Sequence, residues 1–380
     1  MTDENRIDLI RPDAPALAQR GPYRVGVQTH VFDLPPADGL GLRTLAVEIW
    51  YPAAKGTEPG TVYQTILRDG VTPVQYAGSA CRDARPATDL AAPLVVLSHG
   101  YPGNRFLMSH LAESLAAKGY VVAAPDHAGS TYDDQQEFGL TLLHRPLDQR
   151  GVIDAVAGVG GALGALADTS TVAVIGYSMG GYGALVLGGA GLSATAMTHA
   201  RAPQDGTLER HRAGNPAHHA LSDPRIKAIV PIGPWGGGAD MWDQTGMAGL
   251  RVPMFVIAGT ADEVSDYGAM QRIFTGSSGV DRHMLSFINA GHNAAAPVPA
   301  PPESWAFSET LGWAPFAHYA DPVWDTCRMN NIAQHFVAAF LGLHLRGDKE
   351  MVGFLNGADW PGFAADSARG LVLEHLPAGI

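Results

Sequence analysis

The sequence predicts an α/β fold: a mostly parallel central sheet flanked by helices, with insertions at its rim. Two observations carry this. Short apolar, β-branched runs alternate along the chain with segments of helical periodicity, as strand–helix–strand units require. The runs are also apolar throughout, so each strand is expected to be buried on both faces. With 380 residues, 46% of them hydrophobic, the chain can bury such a core.

Taken in order, residues 1–40 are punctuated by Pro, Asp and Gly and read as an irregular lead-in to a single domain over 41–380. Residues 43–51 alternate at period two before Pro52, the pattern of an early strand near a sheet edge. Residues 53–91 show no clear period and are expected to be loops with a short helix. A buried strand over 94–97 leads to Asn104, a cap for a helix over 105–118 in which Leu107, Leu111 and Leu115 recur at helical spacing. The next strand, 120–124, runs into Pro125-Asp126-His127. A helix over 149–167 is expected before the strand at 171–175, and another helix after it, to about residue 187. Strands at 226–232, 254–258 and 282–288 and a helix over 329–345 complete the alternation. Two segments break it: 196–224, rich in His, Arg, Pro and Gly, and 296–326, rich in Pro and Trp. Both are expected to be cap or lid insertions beside strand ends, where open α/β sheets bind ligands.

The most informative stretch runs from Thr171 through Gly176-Tyr177-Ser178-Met179-Gly180. A strand enters Gly-x-Ser-x-Gly and leaves as a helix, the setting of a nucleophile elbow. So tight a turn needs residues without side chains two before and two after the serine, which Gly176 and Gly180 satisfy. Ser178 is the candidate nucleophile.

A serine hydroxyl needs a base in hydrogen-bond reach, usually a histidine oriented by a carboxylate, in the chain order Ser, Asp/Glu, His. Of the fifteen histidines, His292 in Ala290-Gly291-His292 follows the last strand and is the candidate base. Asp262, just after the strand at 254–258, is the candidate acid; Glu263 beside it and Asp240 are its competitors. The oxyanion hole needs two N–H donors. Met179 supplies one, and the loop His99-Gly100-Tyr101 the other through Tyr101, with Gly100 making room and His99 bracing the loop. Trp235 is the first candidate to line a substrate pocket, ahead of Trp305, Trp313 and Trp324, and His127 is a further candidate contact.

Composition excludes several classes. A formal charge of −12 disfavours nucleic acid and anionic membranes, which require a basic footprint. The longest apolar stretch, 151–167, is Gly/Ala-rich and carries Asp154, so no membrane span is expected. The acidic first residues lack a secretory pattern, which points to a cytoplasmic protein. Cys81 and Cys327 form no metal-spaced motif and are expected to be free thiols. His211, His218 and His219 share no carboxylate or cysteine at ligand spacing and read as a solvated loop, so no metal is expected. Walker and dinucleotide motifs are missing, and no cofactor is implied. A homo-oligomer is compatible with all of this.

With these residues in place the chain resembles the α/β-hydrolase superfamily, and within it the dienelactone-hydrolase-like proteins and platelet-activating-factor acetylhydrolases. The matches are Ile49-Trp50-Tyr51-Pro52, Leu97-Ser98-His99-Gly100, Pro125-Asp126-His127-Ala128-Gly129-Ser130, the elbow, and Ala290-Gly291-His292. The resemblance implies a serine hydrolase cleaving small-molecule carboxylic esters through an acyl-enzyme, with Ser178 as nucleophile, His292 as base, and Tyr101 and Met179 as oxyanion donors. Dienelactone hydrolases carry cysteine where this chain has Ser178, which favours ordinary esters. The acetylhydrolases take their acid after the strand ending here at Ile232, where no Asp stands, which moves the expectation to Asp262. Amide, carbamate or acyl-transfer chemistry on the same residues, and a catalytically silent binding protein on the same fold, are the alternatives.

Overall fold

A computed structural model describes residues 5–36, 41–136 and 138–379. Its strands are β1 (Arg24–Leu34), β2 (Arg43–Ala53), β3 (Val62–Ile66), β4 (Pro73–Ala77), β5 (Cys81–Arg82), β6 (Ala92–Ser98), β7 (Val121–Pro125), β8 (Ala167–Tyr177), β9 (Ile226–Ile232), β10 (Met254–Gly259), β11 (Arg282–Phe287) and β12 (Leu371–Leu376). Its helices are α1 (Ser109–Ala117), α2 (Phe138–Ala157), α3 (Gly161–Leu166), α4 (Met179–Leu187), α5 (Ala194–Met197), α6 (Pro216–Leu221), α7 (Gln244–Met247), α8 (Tyr267–Gly276), α9 (Phe316–Tyr319) and α10 (Thr326–Arg346).

Ten strands form one sheet in the order β12-β11-β10-β9-β8-β6-β7-β2-β1-β5. From β7 through β11 all neighbours are parallel, whereas β2 runs antiparallel to both β7 and β1, and β12 antiparallel to β11. Successive side chains on a strand face opposite ways, and both faces are buried. Val95 and Leu97 of β6 and Ala173 and Ile175 of β8 join one apolar cluster with α1 and α10. Leu94, Val96, Val172 and Val174 join the other, with α2 and α4. Among the described residues no helix is long and apolar enough to cross a membrane.

Several sequence expectations need correction. Residues 24–34 are not irregular: β1 pairs with β2 along all eleven residues, although its own burial alternates and its sequence carries polar side chains. The remaining lead-in has one short turn, Ala16–Ala18, while residues 1–4 and 37–40 lie outside the described residues. Residues 53–91 hold the β3–β4 hairpin and β5 and no helix. The helix expected over 149–167 begins at Phe138 and breaks at Gly158–Gly161, where Gly161 takes a left-handed φ of 69°. The helix at 105–118 is shorter, and β12 is an added edge strand. Cys81 and Cys327 are both free thiols.

Candidate active site

The elbow joins β8 to α4. Ser178 sits between them at φ 53° and ψ −111°, a backbone conformation that side-chain-bearing residues hold only where the surroundings enforce it. The enforcement is steric. A Cβ on Gly176 would lie 2.1 Å from the Gly180 carbonyl oxygen, and one on Gly180 would lie 2.1 Å from the Ser98 oxygen. Hydrogen bonds fix the turn: Ser178 N–H donates to Ile232 O at 2.8 Å, and its carbonyl accepts from Tyr182 and Trp235, each at 3.0 Å.

Ser178 Oγ lies 3.0 Å from His292 Nε2, and His292 Nδ1 lies 2.8 Å from Asp262 Oδ2. Carboxylate oxygens accept, so Nδ1 carries the proton and Nε2 is the free acceptor for the serine. Asp262 is fully buried, and its other oxygen accepts from Val264 and Ser265 N–H, each at 2.8 Å. Its competitors are elsewhere. Glu263 is exposed, and Asp240 is exposed in a separate cleft beside Trp242 and Arg272.

The loop after β6 approaches the serine from the other side. A Cβ on Gly100 would come within 3.3 Å of Ser178 Cβ, so the backbone leading to Tyr101 passes directly over Ser178. Met179 opens α4, and its N–H therefore has no acceptor within the helix. Tyr101 and Met179 both line the cavity at Ser178.

His127 does not reach that cavity. It is 1% exposed beneath the loop, its Nε2 2.8 Å from Ser98 Oγ and its Nδ1 3.1 Å from Asp148, so it is part of the floor and not a substrate contact. Burial holds its pKa far below the usual histidine value. Arg43 pairs with Asp148 at 2.6 Å. Arg145 donates to His99 O and to Gly100 O, and His99 Nδ1 lies 2.7 Å from Gly100 O, so both side chains brace the loop leading to Tyr101 from below. Arg145 lay in a stretch whose sequence offered no helical signal, and nothing there pointed to it.

The cavity measures about 590 Å³. One wall is aromatic: Tyr101 packs edge-on to Phe138 at 5.1 Å and Phe138 to Trp235 at 5.0 Å. Arg201, from the first inserted segment, lies over Phe138 at 4.9 Å. The second segment contributes Trp313, His318 and Asp321. Asp321 accepts from Gly291 N–H at 2.7 Å, and Asn293 Nδ2 donates to Ala317 O and Ala320 O, so this segment is tied to the loop carrying His292. Burial pushes His318 down to about 3, so it stays neutral, with its Nε2 2.9 Å from Tyr132 Oη. Arg68, from the β3–β4 turn, also lines the cavity, and its guanidinium is pulled below its ordinary value by burial. Neither Arg68 nor Arg201 has a described carboxylate within ion-pair distance. No motif marks either residue in the sequence.

Of the other candidates, Trp235 lines the cavity, Trp305 is 65% exposed away from it, and Trp324 packs on Phe287. His211 and His218 are not in a solvated loop: both are buried, with ring nitrogens 2.8 Å from Leu143 O and 3.1 Å from Gly189 O, while His219 is exposed.

This sheet order, with a tight strand–helix turn after β8 and a histidine after β11, is the α/β-hydrolase fold. Residues 81–232 match the family model of the dienelactone hydrolase family, a span that includes the His99–Tyr101 loop and Ser178. Over this span the chain is similar to the dienelactone hydrolase family. It is 27% identical over 202 residues to cutinase est1 of Thermobifida alba, covering 53% of each chain. Cutinase cut1 of Thermobifida fusca is 26% identical over 202 residues, 53% of this chain and 49% of that one. The chain thus spans about half the length of the curated relatives it matches. A ferulic acid esterase from Streptomyces cinnamoneus shares the fold over 97% of this chain and 99% of its own, with a TM-score of 0.63 and 19% identity.

Proposed function

We propose that this protein is a serine esterase that hydrolyses small-molecule carboxylic esters through an acyl-enzyme. The observation that carries the reading is the continuous line from Ser178 Oγ through His292 to buried Asp262, at 3.0 and 2.8 Å. Ser178 Oγ attacks the ester carbonyl as His292 Nε2 takes its proton. Asp262 keeps the proton on Nδ1 and stabilises the imidazolium. Tyr101 and Met179 N–H stabilise the oxyanion. His292 then returns the proton to the leaving alcohol, and a water activated by the same nitrogen releases the acid. The cutinases and the ferulic acid esterase named above support ester chemistry over amide or carbamate cleavage.

The aromatic wall with Trp235 suits a flat or apolar acyl group, and Arg68 and Arg201, with no carboxylate partner among the described residues, favour an ester that also carries an anionic group. Residues 41–380 are read as one hydrolase domain, with segments 196–224 and 296–326 as its cap, because each places side chains on the cavity. The free Cys81 and Cys327 suit a reducing compartment, and fractionation tests the cytoplasmic placement.

An organophosphonate probe should label Ser178 in the wild type, and Ser178→Ala should abolish both labelling and p-nitrophenyl acetate turnover. Persistent turnover in the variant would overturn the mechanism; an unlabelled, inactive wild type would instead favour a binding protein on this fold.

A further inference from the structure

The β12 edge of the sheet carries a second cluster of chemistry-bearing side chains. β11 and β12 are antiparallel, and His283 lies directly across from His375 in their register. Directly opposed residues bring their side chains together on one face. The two imidazoles accordingly stack 4.2 Å apart and within 7° of parallel. Asp281 stands two residues before His283, on the same face of the strand by its period of two. Its Oδ1 is 2.7 Å from His375 Nε2. One ligating atom from each of Asp281, His283 and His375 falls within 4.8 Å of the others.

Two buried nitrogens there have no hydrogen-bond partner among the described residues. One is His283 Nδ1; the other is Nε2 of His344, on α10, which lies close enough to His283 to act on it electrostatically. Buried ring nitrogens are rarely left unpaired, and such exceptions call for a physical reason.

We propose that Asp281, His283 and His375 form a divalent transition-metal site, of Zn²⁺ type, that clasps the edge strand β12 to β11. Two imidazoles and one carboxylate are the donor set of open tetrahedral zinc sites, with water or His344 as a fourth ligand. A hard cation such as Ca²⁺ would want more oxygen donors than the cluster offers. Ligands about 2.0–2.2 Å from zinc stand roughly 3.3 Å apart, so the cluster must contract on binding. Asp281 and His375 can move, since their side chains are 34% and 47% exposed. The cluster is at the opposite end of β11 from His292, which separates this site from the ester chemistry.

The test is titration of ZnCl₂ into EDTA-treated full-length protein by calorimetry, with thermal melting and proteolysis of the C-terminal strand followed in parallel. The wild type should show one saturable site, a higher melting temperature and slower C-terminal cleavage with Zn²⁺. Asp281→Ala, at a half-buried position, and His375→Ala, at an exposed one, should each bind at least about tenfold more weakly and lose the thermal response. His219→Ala, an exposed histidine outside the cluster, should bind like the wild type. Absence of saturable binding up to millimolar Zn²⁺, or equal binding by the wild type and both cluster variants, would overturn the site. Ester turnover should stay at the wild-type rate in all three variants, so failure of the metal site and failure of the esterase reading are distinguishable.

Discussion

The elbow and the two inserted segments face the same cavity, but they are held by different forces. At the elbow the backbone is locked by exclusion: no Cβ fits at Gly176 or Gly180, and three backbone hydrogen bonds fix Ser178. The inserted segments are held by separate side-chain tethers, Asp321 to Gly291 N–H, Asn293 to Ala317 and Ala320, and His211 to Leu143 O. A site built this way keeps its reacting atoms on the rigid part. Part of the cavity wall, including Arg201, Trp313 and His318, is on segments that can change without disturbing it.

The sharpest way to break this contrast lies on the rigid side. Asp262→Asn should lower kcat/KM by about four orders of magnitude, because the amide no longer fixes the histidine tautomer. Asp240→Asn should leave it unchanged. If only the second variant loses activity, the acid is misassigned.

Arg145→Lys probes the floor of the oxyanion loop. One ammonium cannot span the carbonyls of His99 and Gly100 as the guanidinium does. Since losing an oxyanion donor outright costs about two to three orders of magnitude, a loosened one should cost roughly tenfold to a hundredfold. That loss should appear in kcat, with KM for a neutral ester unchanged; a loss in KM alone would remove Arg145 from this role.

On the cavity wall outside both segments, Arg68→Gln should raise KM about tenfold for an ester bearing a carboxylate, the worth of one modest charge-assisted contact. Its neutral analogue should be unaffected. Equal effects on both would mean that Arg68 only packs the wall.

The smallest effect concerns the tether of the first segment. Burial pushes His211 down to about 3 from an ordinary 6.5, so between these values the unfolded chain binds a proton that the folded one refuses. Stability contributed by the neutral ring is complete above pH 6.5 and falls as the pH drops toward 3, by about 1.4 kcal/mol per pH unit. Urea unfolding at pH 5.5 and 4.5 should show at least this slope, and His211→Gln should remove about one proton's share of it.

Most of the parallel sheet was legible in the sequence, because buried strands must be short and apolar and the helices between them must show a helical period. β1 and β12 were not: both lie toward the sheet's margins, β1 second from the edge and β12 at it, where one face tolerates polar residues. His127 followed a strand end and looked available to substrate. Only the packing of α2 revealed Asp148 and Arg145 beside it, in a floor closed to the cavity. Arg68 and Arg201 carried no local signal, since a guanidinium's partner or lack of one is set by segments far away in the chain.

By itself the sequence determined the elbow. The turn around Ser178 is a local steric problem, solved by two glycines within five residues, and such problems are written in neighbouring positions. It also put Asp262 forward as the acid by its place after a strand, with Glu263 and Asp240 as competitors able to do the same chemistry. Only the tertiary structure separated them: Asp262 is 2.8 Å from His292, thirty residues away in the chain, while the other two face solvent. Pairing across such separations depends on how strands register and segments pack, which no short window of sequence contains.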